Sequence, residues 1–187
     1  MAGAMATSIV IVGVGGQGAL TLARWIGEAA LAEGYDVRIA EVHGMSQRGG
    51  SVEVHVRFGR EVYAPIVEEA GADLIIALEA VEALRGFRYL KPGGVLVINK
   101  RVIQPPGRWY ELGEVVDAIR KSWPKTYIVP CYEAALGLGS ALYENSVMLG
   151  FVSQLLGLPM PPSLDERNQA AFRKGMQLFQ EAAAAYQ

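Results

Sequence analysis

Residues 9–18 read Ile-Val-Ile-Val-Gly-Val-Gly-Gly-Gln-Gly, and this stretch decides the fold. Its β-branched run predicts a buried strand at residues 8–12, because continuous apolar runs are typical of strands covered on both faces. Gly13, Gly15 and Gly18 then match the G-x-G-x-x-G pattern. Between a strand and a helix, such a turn lets backbone amides approach a phosphate at the helix N-terminus. The alternative is a tight turn without a ligand, since three glycines at this spacing also occur by chance.

A helix and a second strand are predicted directly after this turn. Residues 18–33 carry apolar side chains at helical spacing, and Gly34 stands where a C′ glycine ends a helix. Residues 36–42 form a plausible second strand and complete a strand–helix–strand unit. The right-handed crossover rule places both strands parallel in one sheet.

The next segment departs from a purely parallel sheet. Residues 51–58 alternate between apolar and polar side chains, which predicts a half-solvated strand with His55 on its polar face. Residues 61–64 are expected to be its hairpin partner. Further strands are predicted at residues 73–78, 95–99 and 126–129, and helices at residues 79–89 and 111–122. The fold class is therefore α/β and Rossmann-like, with a mostly parallel but mixed sheet.

Two helices are predicted in the last third of the chain. Residues 140–156 are apolar on nearly all sides, so this helix is buried in its own domain or against another chain. The final helix opens with Ser-Leu-Asp-Glu at residues 163–166, which is a capping-box pattern.

Composition excludes several classes of protein. The 187 residues suit one domain, and the net charge of −2 without a basic block gives no support for nucleic-acid or anionic-membrane binding. Cys131 is the one cysteine, so the chain cannot form an internal disulfide or an all-cysteine iron–sulfur cluster. Any redox metal must then belong to another chain. We expect no membrane segment, since no apolar run reaches roughly 18 residues, and a cytoplasmic location.

A second candidate loop follows the second strand. Residues 43–50 read His-Gly-Met-Ser-Gln-Arg-Gly-Gly, at the carboxyl end of a strand, where α/β sheets bind ligands. Arg48 beside Gly49 and Gly50 could clamp a second phosphate, because guanidinium matches phosphate oxygens bidentately. Ser46 and Gln47 add donors. The alternative is a surface arginine in a polar loop.

Other polar residues leave their roles open. Glu41 ends the second strand, where a dinucleotide fold uses an acid to bind a ribose, but a solvated carboxylate fits equally. His43 and His55 lack carboxylates or thiolates at ligand spacing, so a metal site is not favoured. Cys131 is expected to be a small buried residue. Asn145 is either a satisfied core or interface residue or a ligand contact. No catalytic constellation is evident.

The two loops together carry a family resemblance. Together, the first loop and the second loop resemble the gamma-type subunit of 2-oxoacid:ferredoxin oxidoreductases. The second loop lies within residues 41–52, which read Glu-Val-His-Gly-Met-Ser-Gln-Arg-Gly-Gly-Ser-Val. The resemblance is greatest to the small (beta) subunit of the indolepyruvate ferredoxin oxidoreductases. It extends from residue 9 to the helix that contains Asn-Ser-Val-Met-Leu-Gly at residues 145–150.

This resemblance implies a role within an assembly. It implies a three-layer α/β/α domain over residues 1–187, with the helix at residues 163–186 packed on it. Such enzymes convert a 2-oxoacid to an acyl-CoA and CO2 and pass electrons to ferredoxin. Coenzyme A is associated with this domain, whereas thiamine diphosphate, Mg and the 4Fe-4S clusters belong to a large partner subunit. The chain would be inactive alone, without catalytic residues or metal ligands of its own.

The residues that the resemblance assigns to coenzyme A fall in the two loops. They are Gly13, Gly15, Gly16, Gln17 and Gly18 in the first loop, and Ser46, Gln47, Arg48, Gly49 and Gly50 in the second. Whether Arg48 faces the ligand or the partner stays open. The alternatives are a Rossmann-like NAD(P)-dependent dehydrogenase that uses Glu41, and a nucleotide-binding regulatory module.

Overall fold

A computed structural model describes residues 6–43, 50–123 and 125–185. The strands are β1 (Thr7–Val14), β2 (Asp36–His43), β3 (Ser51–Gly59), β4 (Ala72–Ala77), β5 (Leu90–Asn99) and β6 (Thr126–Val129). The helices are α1 (Ala19–Ala32), α2 (Ala80–Gly86), α3 (Leu112–Ser122), α4 (Cys131–Gly137), α5 (Glu144–Leu156) and α6 (Glu166–Ala185). Short 3-10 turns occupy Phe87–Tyr89 and Ala141–Tyr143. Within these described ranges, no helix combines the length and hydropathy that a membrane crossing requires.

The strands form one mixed sheet in the order β2-β3-β1-β4-β5-β6. The neighbours β1, β4, β5 and β6 are parallel, whereas β3 is antiparallel to both β1 and β2. The predictions of a mixed sheet, and of first and second strands that run in the same direction, are confirmed. These two strands are not neighbours, because β3 lies between them.

Helices cover both faces of the sheet, which confirms the three-layer α/β/α fold. Ile9 and Ile11 point into a core shared with α1, α5 and α6, whereas Val10 and Val12 point into a core with α2 and α3. All four side chains have no exposed surface. The continuous apolar run of β1 therefore serves both cores, as expected for a central strand.

The predicted hairpin after β3 is wrong. Residues 61–64 are not a strand. They lie in a connecting segment that packs on the face of β3 that carries His55 and Arg57. The side chain of Arg57 donates to the carbonyl of Ala64 at 3.0 Å, and the amide of Val67 donates to Nδ1 of His55 at 3.0 Å. β3 already pairs with a strand on each side, so it has no free edge for a hairpin partner. His55 lies on the face that the alternation predicted, but this segment buries it.

One helix was not predicted, and the starts of two others are corrected. Sequence periodicity did not reveal α4, and the apolar helix predicted from residue 140 begins at Glu144 after a 3-10 turn. The final helix begins at Glu166, where Oδ1 of Asp165 accepts from the amide of Asn168 at 2.9 Å. Asp165, and not Ser163, is therefore the capping residue, since a side-chain oxygen bonded to an early helical amide defines the N-cap. The hydroxyl of Ser163 instead donates to Glu28.

Candidate functional site

The glycine turn connects β1 to α1 at the carboxyl edge of the parallel strands. Gly16 and Gly18 have φ values of +99° and +76°, which L side chains rarely adopt. Gly18 is the N-cap of α1 and provides no side-chain acceptor for the helix. The first amides of a helix have no acceptor within that helix, so this turn leaves donors for an anion.

Gln17 stabilises the turn through its side chain. Its Oε1 accepts from the amide of Val14 at 2.7 Å, and its Nε2 donates to the carbonyl of Leu78 at 3.1 Å. The amide group therefore ties the end of β1 to the residue that follows β4. Both ends of this side chain are bonded within the protein. The backbone of Gln17 is bonded as well, since its amide donates to the carbonyl of Val14 at 3.0 Å and its carbonyl accepts from Asn145 at 2.7 Å, so Gln17 shapes the turn.

Asn145 holds the same turn from the opposite side. Its Nδ2 donates to the carbonyl of Gln17 at 2.7 Å and to that of Gly18 at 3.4 Å. Asn145 is half-buried in the first turn of α5. Of the roles open from the sequence, the structure shows a positioning one, in which α5 orients the N-cap of α1.

The second loop ends beside the first. The amide of Gly15 donates to the carbonyl of Gly50 at 2.8 Å, and Ser51 pairs with Val14 in the sheet. The hydroxyl of Ser51 donates to Oε2 of the buried Glu82 at 2.5 Å. The other predicted residues of this loop, namely Ser46, Gln47, Arg48 and Gly49, lie outside the described residues.

A cleft of about 610 Å³ opens over the glycine turn. Its walls include residues 14–18, Trp25 on α1, Leu142 on the 3-10 turn, and Glu144 and Asn145 on α5. Arg101, just after β5, completes the lining on the far side. Its Nη1 donates to Oε2 of Glu144 at 2.8 Å. Neither Arg101 nor Glu144 belongs to a local motif, so sequence patterns do not single them out.

Glu79 is a buried carboxyl group at the carboxyl edge of the sheet, close to the end of β4. Glu79 caps α2 and accepts from the amides of Glu82 and Ile103. Burial raises the pKa of Glu79 above its usual value, because an apolar environment disfavours the charged form. Both oxygens of Glu79 are bonded to backbone, so this acid is structural.

Glu41 does not support the dinucleotide interpretation. It is exposed on β2 and pairs with Val54 of β3. In a dinucleotide-binding fold the ribose-binding acid ends the strand next to the first one. Here β3 separates β2 from β1, and Glu41 does not line the cleft over the glycine turn.

His55 and Cys131 are packed in the interior. His55 is 1% exposed and its ring edge meets Tyr89, with 5.1 Å between ring centres. Burial lowers the pKa of His55. Cys131 is buried, as predicted, and burial raises the pKa of its thiol well above the usual value, so it is not a nucleophile. In the part of the chain that the structure describes, no three metal-binding side chains cluster.

A larger cavity of about 1020 Å³ lies at the opposite edge of the sheet, near the starts of β1 and β4. Its polar groups bond to one another: Lys91 pairs with Asp73, and Nε of Arg57 donates to the hydroxyl of Ser8 at 3.2 Å. The amino ends of parallel strands are not where α/β sheets bind ligands. The cleft over the glycine turn is therefore the candidate site despite its smaller volume.

Comparison with known proteins gives a consistent result. Residues 8–186 match the family described as pyruvate ferredoxin/flavodoxin oxidoreductase. The chain is 45% identical over 161 residues to the indolepyruvate oxidoreductase subunit IorB of Archaeoglobus fulgidus, covering 83% of this chain and 80% of the relative. It is 39% identical over 194 residues to IorB of Thermococcus kodakarensis, covering 93% and 96%.

Solved structures share the fold. The gamma subunit of a keto/oxoacid ferredoxin oxidoreductase from Geobacter sulfurreducens has a TM-score of 0.68 at 23% identity, covering 96% of this chain and 99% of that one. A 2-oxoglutarate:ferredoxin oxidoreductase from Magnetococcus marinus, solved with 2-oxoglutarate, coenzyme A and succinyl-CoA bound, has a TM-score of 0.66 at 20% identity. This match covers 95% of the present chain and 32% of the larger one.

Proposed function

Because this chain belongs to the pyruvate ferredoxin/flavodoxin oxidoreductase family and is a subunit of a 2-oxoacid:ferredoxin oxidoreductase, we propose that it supplies the coenzyme A site of such an enzyme. The proposed substrate is indolepyruvate or a related aryl-2-oxoacid, since relatives that are 45% and 39% identical carry that name. The overall reaction joins a 2-oxoacid, coenzyme A and two oxidised ferredoxins. It yields an acyl-CoA, CO2, a proton and two reduced ferredoxins.

The observation that carries this proposal is the bond between Gly15 and Gly50 at the mouth of the cleft. It places the end of the second loop beside the uncapped N-terminus of α1. Coenzyme A carries a diphosphate and a 3′-phosphate, so two adjacent loops rich in backbone donors suit it. A Cβ added at Gly16 would meet no atom of the described residues within 4 Å, which supports an opening for a ligand at this part of the turn.

We assign the recognition of the carrier to the turn formed by Gly13, Gly15, Gly16, Gln17 and Gly18, with the backbone amides at the start of α1 as its donors. Ser46, Gln47, Arg48, Gly49 and Gly50 are proposed to form the second wall, by analogy with the family motif. When bound, coenzyme A supplies the thiol that accepts the acyl group. The chain's own part is to hold the phosphates and to direct the thiol toward a partner. Residues 1–187 are proposed to act as one domain.

The remaining chemistry is assigned to a large partner subunit. We propose that thiamine diphosphate, Mg and the 4Fe-4S clusters lie there, and that ferredoxin is reached through the complex. One cysteine cannot ligate a cluster alone, which supports this division. A cytoplasmic location is proposed, because nothing in the composition calls for an oxidising compartment or a membrane. Neither nucleic acid nor lipid is a proposed partner.

Co-purification and ligand titration test the proposal. The chain isolated from its native cells should bring down a larger subunit that contains iron and thiamine diphosphate. By calorimetry, the isolated chain or the complex should bind coenzyme A and should not bind NADH. Decarboxylation of a 2-oxoacid by the isolated chain would refute the division of labour. Tight binding of NADH that is lost in Glu41→Ala would favour the dehydrogenase alternative.

A further inference from the structure

The charges of the cleft point to a residue outside both loops. Among the described residues that line it, Arg101 is the one cation and Glu144 the one carboxylate. A coenzyme with several phosphates needs more positive charge than a helix N-terminus supplies, which is roughly half an elementary charge. Arg101 is therefore the candidate for a direct contact with phosphate.

Arg101 is held in place before any ligand arrives. Its amide donates to the carbonyl of Asn99 at 2.7 Å, and its own carbonyl accepts from the amide of Ala80 at 2.8 Å. The guanidinium carbon lies 4.4 Å from the centre of the Tyr132 ring, which is a cation–π contact. Backbone and side chain are thus fixed from separate elements, so little conformational entropy remains to be lost on binding.

The guanidinium of Arg101 also has N–H donors that are not used within the described residues. Its Nη1 bonds to Glu144, whereas neither Nε nor Nη2 has a hydrogen-bond partner among the described residues. A guanidinium carries five N–H donors in a planar fork. The side chain is 33% exposed, so these donors are reachable from the cleft.

We propose that Arg101 binds the diphosphate of coenzyme A, together with the backbone amides at the start of α1. This inference rests on the proposed function. The first loop and Arg101 line one cleft, so a single bound ligand can face both. Bidentate pairing with phosphate oxygens is the geometry that a guanidinium favours. Glu144 neutralises Arg101 in the free chain and competes with the ligand for it.

The test uses the reconstituted complex and compares three acyl acceptors: coenzyme A, dephospho-coenzyme A and pantetheine. Arg101→Ala should raise KM for coenzyme A by about 10- to 100-fold, as expected for loss of a charge-assisted contact, while kcat at saturation changes less than twofold. Dephospho-coenzyme A lacks only the 3′-phosphate, so the KM of Arg101→Ala should exceed the wild-type KM by the same factor with this acceptor. Pantetheine has no diphosphate, so its KM should be the same in both proteins.

Matched variants separate binding from support of the fold. Arg101→Lys keeps the charge but not the planar fork, so its KM should lie between those of the wild type and Arg101→Ala. Glu144→Gln should lower KM for coenzyme A, because it removes a competing carboxylate. Arg60→Ala, an exposed arginine at the opposite edge, should not change KM. Thermal melting checks that each variant is folded.

Three results would overturn the assignment. They are an unchanged KM in Arg101→Ala, an equal loss with pantetheine, and a loss with coenzyme A that vanishes with dephospho-coenzyme A. The last would move the contact to the 3′-phosphate. Failure of the proposed function is distinguishable, because the wild-type complex itself would then show no saturable dependence on coenzyme A.

Discussion

The amide of Gly15 donates to the carbonyl of Gly50, and this bond depends on the position of β3 in the sheet. β3 runs antiparallel to β1, with Ser51 opposite Val14. The loop that precedes β3 therefore ends at the same edge as the glycine turn that follows β1. Insertion of β3 is what unites them.

The first prediction concerns Asn145, which orients the glycine turn. Asn145→Ala removes the donor to the carbonyls of Gln17 and Gly18. We expect a loss of about 1–2 kcal/mol in the free energy of unfolding and a weaker affinity for coenzyme A. Denaturant unfolding and calorimetry measure the two effects.

Asn145→Asp is the matched variant, because it keeps the shape but cannot donate when ionised. It should be at least as damaging as Asn145→Ala, since a carboxylate would face two carbonyl oxygens. A variant as stable as the wild type would contradict the positioning role.

The second prediction compares two glycines of the turn. Gly18→Ala places its Cβ 2.7 Å from Nδ2 of Asn145, at a φ of +76°. Gly16→Ala has a similarly unfavourable φ of +99°, but its Cβ meets no atom within 4 Å in the part of the chain that the structure describes. We expect Gly18→Ala to lose about 2–3 kcal/mol of stability and Gly16→Ala about 1–2 kcal/mol.

Ligand affinity should distinguish the two glycines further. Gly16→Val adds bulk on the open side of the turn, so coenzyme A binding should fall more than stability does. Among the described residues no atom lies within 4 Å of a Cβ at Gly16, so we expect the crowding to fall on the ligand. Unchanged coenzyme A affinity in Gly16→Val would count against the first loop as the phosphate site.

The third prediction is a pH dependence that originates at His55. Burial lowers the pKa of His55 below its ordinary 6.5, with Glu53 raising it and Arg88 lowering it further. Nδ1 accepts from Val67, and protonation would remove that acceptor. As the pH falls below about 6.5, the unfolded chain takes up a proton that the folded chain resists, so stability falls.

His55→Asn keeps an acceptor near Nδ1 and should flatten this dependence. The difference in slope between wild type and variant can reach about 1.4 kcal/mol per pH unit. Burial raises the pKa of Glu79, which gives the opposite trend above its ordinary 4.5, but Glu79 is unchanged in both proteins. An imidazole pKa of 6.5 or higher for His55, measured by NMR, would refute the prediction.

The fourth prediction concerns the crossing of α5 and α6. A Cβ at Gly150 would lie 1.9 Å from the carbonyl oxygen of Phe172, and one at Gly175 would lie 1.9 Å from that of Val147. The two backbones touch, so Gly150→Ala must separate the helices. We expect a loss of about 3 kcal/mol, the upper part of the range for overpacked cores.

Gly113→Ala is the control, because it lies in a helix and its Cβ meets no atom of the described residues within 4 Å. It should be neutral or slightly stabilising. Equal stability of Gly150→Ala and wild type in denaturant would show that α6 does not cross α5 at this contact.

Local signals gave the first strand, the glycine turn and the first helix, because one short stretch contains the apolar run, the turn residues and the helical spacing. β6 at Thr126–Val129 matches its predicted bounds, and Gly34 follows α1 as predicted. The predicted hairpin at residues 61–64 was wrong. Alternation in β3 indicates which side chains share a face, but it does not indicate which strands lie on either side of β3. α4 was missed because seven residues give little periodicity.

The sequence by itself determined the α/β class, the phosphate-suited turn and the family, because each can be identified from short contiguous segments of the chain. The tertiary structure alone decided what surrounds that turn. Asn145, Glu144 and Arg101 come from distant segments and converge only when α5 packs on one face and β5 ends at the same edge. Which faces meet depends on burial summed over the whole chain, and no local pattern contains that sum.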